Sequence, residues 1–223
     1  MFDFIMKGGL LMYPILLCSV IAIAIILERL FHFSRAGVDL DDFTKRIKNS
    51  LKEGDITAAR TIAADTHGPV GEVTRLVLEE SSKGRKSREK KIEITGSREI
   101  RKLESNLRGL SIIANITPLL GLLGTVTGMI RAFMKIQELG GRVDAVVLAG
   151  GIWEAMITTG AGLAVAIPAM VAYHLFEGKV DSIAAGMKDV VSEIGELLGI
   201  DEVNDFVEES KMMAIKEEEG YGI

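Results

Sequence analysis

Residues 109–130 read GLSIIANITPLLGLLGTVTGMI, 22 positions without one charged side chain, held between Arg108 and Arg131. As an α-helix rising about 1.5 Å per residue, such a run is roughly 30 Å long, the thickness of a bilayer's hydrocarbon core. Two further runs match it. Residues 155–176 lie between Glu154 and Glu177, interrupted only by His174, and residues 8–27 lie between Lys7 and Glu28. A cleaved signal peptide would have a shorter apolar core and a small-x-small end, whereas the first run stops at Glu28-Arg29-Leu30. Three buried helices of a soluble protein would need an apolar partner core that the polar remainder cannot supply. The sequence therefore predicts an all-α membrane protein with three transmembrane helices.

The composition agrees. Of 223 residues, 48% are apolar and 26% charged, and the mean hydropathy is +0.29. Those values coexist only when apolar and charged residues occupy separate blocks, which disfavours a simple globular enzyme. The lone Cys18 excludes an internal disulfide framework. A net charge of −5 argues against nucleic acid as the main partner.

Basic residues set the expected orientation. Residues 28–108 hold 18 of the 26 Lys and Arg, against one in residues 1–7, three in 131–154 and four after Phe176. Arg29, Arg35, Arg101, Lys102 and Arg108 lie near span ends, where positive charge stays cytoplasmic. The prediction is an external stub (1–7), a cytoplasmic region (28–108), a short external connection (131–154) and a cytoplasmic tail (177–223).

The cytoplasmic parts read as helices. Residues 40–78 are amphipathic, with turn signals at Gly54-Asp55 and Gly68-Pro69. Residues 81–108 are charge-dense, with Ile92, Ile94, Ile100, Leu103 and Leu107 spaced as on a helix that could run straight into the second span; the charge run by itself reads as a solvated face. After the third span, Val180, Ile183, Met187, Val190, Val191, Ile194, Leu197 and Leu198 recur at three- and four-residue steps. This stripe predicts a helical extension packed on its own chain or on a neighbour.

Helices in lipid associate through small residues that let backbones approach. Gly121, Gly124 and Gly128 supply such a face on the second span, and Gly160 and Gly162 on the third. The first span is bulky and aliphatic and suits lipid, implying an inner ring of spans two and three. Polar groups inside the spans are few. Thr125 lies midway along the second, Thr158 and Thr159 lie early in the third, and Glu154 stands one turn before Thr158. Each threonine alone reads as a packing residue bonded to its own helix, and Glu154 as an interface marker. Together on Gly-rich helices they read as a conduit lining, because an ionisable group at a span is costly and so a functional candidate. His32, His67 and His174 lack metal-ligand spacing, and no phosphate loop or catalytic set occurs, so neither enzyme, metal nor cofactor is expected.

Two stretches carry a resemblance. Residues 116–130 (ITPLLGLLGTVTGMI, followed by Phe133) and 152–169 (IWEAMITTGAGLAVAIPA) resemble the signatures of the MotA/TolQ/ExbB proton-channel family, and Ile26-Leu27-Glu28-Arg29 resembles the first-span end of ExbB and TolQ. Three spans fit the ExbB/TolQ branch, since the flagellar stator subunit MotA has four. The resemblance implies a homopentamer in the bacterial inner membrane, surrounding two transmembrane helices of an ExbD/TolR-type single-span partner whose aspartate carries protons. Proton flow would turn the two components against each other and drive biopolymer transport through a TonB- or TolA-like protein. On matching motif positions, Thr125 and Thr159 correspond to the family's pore threonines and Glu154 to its glutamate; Thr158 stands where ExbB-like sequences often carry a small residue. A relative powering another machine, such as gliding, and a purely structural membrane scaffold are the competing readings.

Overall fold

The computed structural model describes residues 9–36, 39–81, 85–138 and 145–199, so the stub (1–7) and the acidic tail from Asp201 lie outside the described residues. Among the described residues there are seven helices: α1 (Met12–Ala36), α2 (Leu40–Lys52), α3 (Ile56–Asp65), α4 (Pro69–Glu80), α5 (Arg85–Glu104), α6 (Leu107–Glu138) and α7 (Ala145–Leu197). Three of them, α1 over Met12–Phe33, α6, and α7 over Leu148–Leu197, are long and apolar enough to cross a membrane. The helices outrun the uncharged stretches: α6 continues to Glu138 and α7 begins at Ala145, so much of 131–154 is helical.

The chain divides into two compact units, residues 1–31 with 106–177, and residues 32–105 with 178–223. In the second unit α2 packs on α3, α3 on α4 and α4 on α5. Asp39 caps α2 by accepting from the backbone N–H groups of Asp41 and Asp42, and Asp55 caps α3 by accepting from Ala58 at 2.8 Å. Gly54 has φ +78 and Gly68, the N-cap of α4, φ +110, conformations that a side chain resists. The breaks thus fall at the Gly54-Asp55 and Gly68-Pro69 turn signals. Ile47, Leu78 and Ile194 are fully buried, each burial contributing about 1.5–3 kcal/mol.

The stripe on α7 packs on its own chain. Val180, Met187, Val190, Val191 and Ile194 are buried, Gly186 lies against Leu40, and Lys48 Nζ pairs with Glu193 at 2.7 Å. Leu197 remains exposed. On α4, the Arg75 guanidinium hydrogen-bonds the Glu72 carboxylate and holds its pKa below the ordinary value.

One expectation is corrected. The charge-dense segment does not run unbroken into the second span: α5 ends at Glu104 and α6 starts at Leu107. Asn106 sits between them at φ +65, a left-handed conformation that asparagine tolerates better than most residues. Its side-chain amide donates to Glu28 Oε2 at 3.1 Å, and Glu28 also accepts from Arg29 Nε at 3.0 Å. The local turn therefore gains a long-range tether to α1 that straight helix would forgo.

Candidate functional site

In the first unit, α6 and α7 form an antiparallel pair with a seam of small residues. Along α6 the buried positions include Thr117, Gly121, Gly124, Gly128 and Ala132; along α7 they include Ala155, Thr158, Ala166 and Ala169. The three- and four-residue spacing keeps each set on one face, and the small side chains bring the backbones together. A Cβ on Gly121 would stand 3.1 Å from Thr159 Cα, and one on Gly162 would stand 2.7 Å from the Thr117 carbonyl oxygen. A Cβ on Gly124 would strike the Thr158 side chain, and one on Gly128 would lie 3.2 Å from both Ala155 Cβ and the Gly151 carbonyl. Gly160 differs, because nothing lies within 4 Å of the place its Cβ would take.

The polar groups sort themselves along this pair. At one end, Arg131 Nη1 donates to Glu154 Oε1 at 2.7 Å, with the Glu154 side chain 29% exposed. The Gly9 backbone, at φ +67, lies against the same pair. Thr158 is buried, donates to the Glu154 carbonyl at 2.9 Å and fills the space that Gly124 leaves. Thr159 reaches across the seam and donates to the Gly121 carbonyl at 3.0 Å. Thr125 is half-buried one turn from Gly121, about 6 Å along the axis, and donates to the Leu122 carbonyl at 2.6 Å. The arrangement runs from the Glu154–Arg131 pair to the mid-span threonines, beside exposed apolar side chains such as Leu122, Val126 and Met129.

Each threonine hydrogen is already given to a carbonyl, in Thr125 and Thr158 to the same helix and in Thr159 to its neighbour. What remains on the Thr125 and Thr159 hydroxyls is acceptor capacity. Such a site receives a donor, such as water or a protonated carboxyl group, more readily than a carboxylate. Among the described residues no three His, Cys, Asp or Glu side chains stand together as metal ligands would.

A sequence profile of the MotA/TolQ/ExbB proton channel family matches residues 65–189, which include α6 and most of α7. The chain belongs to this family. Over 176 residues it is 34% identical to a putative ExbB-like biopolymer transport protein of Synechocystis, covering 78% of this chain and 69% of that one. It is 28% identical over 192 residues to a Vibrio cholerae biopolymer transport protein, exbB1, covering 83% of each. A Tol-Pal system protein, TolQ, of Haemophilus influenzae is 35% identical over 102 residues, 46% of this chain and 44% of that one.

Sequence reasoning singled out Glu154 but missed Arg131. The signal was available: each is the first charge beyond an uncharged run, and antiparallel neighbours bring those two positions level. A second cluster also went unread, although its i, i+3 and i, i+4 spacing lies within α7 alone. Tyr173 donates its hydroxyl to Glu177 Oε1 at 2.7 Å, and His174 Nδ1 lies 3.1 Å from Glu177 Oε2.

The Glu154–Arg131 pair supports a test by substitution. If the chain works as a proton-driven transport subunit, Glu154→Gln and Arg131→Gln should each impair that activity, less severely than loss of a mid-span hydroxyl. The double substitution should cost no more than either single one, because both remove one interaction. Assembly should hold, since a partly exposed pair is worth about 1 kcal/mol or less. Additive losses in a complementation assay would mean that the two side chains act separately.

Proposed function

We propose that the chain is the ring-forming subunit of a proton-driven motor of the ExbB/TolQ type. In this reading five copies assemble in the bacterial inner membrane, with the N-terminus periplasmic and the C-terminus cytoplasmic. They enclose the membrane helices of an ExbD/TolR-type partner and energise a TonB- or TolA-like protein; no step requires an enzyme's chemistry or a cofactor. The observation that carries the reading is the mid-span pair, Thr125 and Thr159, placed within one helical turn of the Gly121 carbonyl. Their unspent lone pairs offer a neutral, protonated carboxyl group a resting place inside the bilayer, where an ionised one would be costly. The small-residue seam holds α6 against α7 and so keeps the oxygens aligned. Thr158, enclosed between the helices, serves this packing rather than the path.

The scaffold reading draws on a specific observation too. Thr125, Thr127 and Thr158 all bond to carbonyls of their own helix, as packing threonines do. Reconstitution separates the two. Native mass spectrometry of the chain in mild detergent should give a pentamer. Liposomes holding the ring with an aspartate-bearing single-span partner should pass protons faster than those holding either alone. A monodisperse monomer would remove the ring, and equal fluxes would leave a scaffold.

A further inference from the structure

The solvent side of α5 is a basic strip. Its exposed charged side chains are all positive, whereas Glu89, Glu93, Glu99 and Glu104 are half-buried. Lys91 and Lys102 are paired with Glu80 and Glu99. Among the described residues no carboxylate pairs with Lys86, Lys90, Arg98 or Arg101. These four flank Ile94, which is 47% exposed, and steps of four, four, four and three residues put all five on one face.

An unpartnered cationic face with an apolar centre calls for an anionic segment with an apolar centre. The chain itself supplies one. Residues 201–209 read DEVNDFVEE, with acids on both sides of Phe206-Val207, and Glu217, Glu218 and Glu219 follow. α7 ends at Leu197 in the unit that contains α5. The 24 residues from 200 to 223, extended at about 3.3 Å each, reach about 80 Å, against about 30 Å for the length of α5, so reach is no obstacle. We propose that the acidic tail, residues 201–219, docks across this strip of the same chain, with Phe206 and Val207 meeting Ile94. Single exposed ion pairs are weak, but tethering raises the local concentration of the tail to the millimolar range. The contact is therefore reversible and sensitive to salt. Anionic lipid headgroups are the competing cover for the same strip.

Lysine acetylation read by mass spectrometry tests this on the full chain in nanodiscs of phosphatidylcholine. Lys86 and Lys90 should react roughly fivefold more slowly than in a chain ending at Ile200, and the protection should vanish near 0.5 M salt. Lys52, exposed on α2, should react alike in both. Full-length Glu208→Lys with Glu209→Lys should lose the protection as the truncation does, so a folding defect in the short chain cannot hide the answer. Carbodiimide coupling in a mixture of isotope-labelled and unlabelled chains should join the strip to tail carboxylates of the same label. Equal acetylation with and without the tail would overturn the proposal. So would cross-links of mixed label, or protection that requires phosphatidylglycerol and ignores the tail.

Discussion

Thr125→Val and Thr159→Val should each, on the motor reading proposed above, abolish complementation that depends on the proton motive force, while the proposed ring still assembles and retains the proposed partner. Valine keeps the branched shape and removes one hydroxyl. For packing alone the exchange is mild, because a hydroxyl bonded to a helical carbonyl contributes about 1 kcal/mol or less. For a proton path it is severe. A protonated carboxyl group that must shed water inside the bilayer loses an acceptor, and leaving its buried O–H unsatisfied costs about 1–3 kcal/mol, or roughly 5- to 150-fold in turnover.

The two sites differ in a way the assay can resolve. Thr125 bonds to Leu122 on its own helix, so its loss leaves the α6–α7 pair untouched. Thr159 bonds to Gly121 across the seam, so its replacement also leaves that carbonyl without its cross-helix donor. Thr159→Val should therefore add a small loss of thermal stability that Thr125→Val lacks. Serine at either position keeps the oxygen and should restore most of the function. Pull-down of the partner is the control for assembly. Normal complementation by both valine variants would make the threonines packing residues.

How far the sequence carried this site depends on which interactions are periodic. The spans, the Gly54-Asp55 and Gly68-Pro69 turns and the buried stripe from Val180 to Ile194 follow from charge spacing, local turn residues and helical repeat, all visible in one dimension. Asn106 was not legible as a break, because its left-handed turn is stabilised by Glu28, 78 positions away. The Arg131–Glu154 pair and the bond from Thr159 to Gly121 likewise depend on how two helices are aligned. Phase was the other missing quantity. Gly160 and Gly162 look equivalent in the text, yet two residues turn a helix by about 200°. One glycine opens outward while the other lies in the seam with Gly121, and Gly151, unremarked in the sequence, joins that seam.

That difference in phase makes the glycines separable by mutation. Gly162→Leu should destroy the hairpin. Its Cβ alone would stand 2.7 Å from the Thr117 carbonyl and 3.1 Å from Gly121 Cα, both backbone atoms that cannot swing aside. Overpacking typically costs about 1–3 kcal/mol, and contact with two backbone atoms puts this case at the upper end, roughly a hundredfold in the folded fraction. Gly124→Leu should follow it, because the side chain it strikes, Thr158, is itself enclosed. Gly160→Leu should leave the single chain folded, since nothing lies within 4 Å of its Cβ position. Its effect should appear one level up. If a neighbouring copy packs on that open side, leucine holds the backbones apart, and the proposed pentamer should give way to folded monomers. Protease resistance in detergent reads the fold, and native mass spectrometry reads the ring. A Gly162→Leu chain that folds normally would refute the seam. A Gly160→Leu chain that still forms the pentamer would place that face against lipid or the enclosed partner, with the contact between copies made elsewhere on the hairpin.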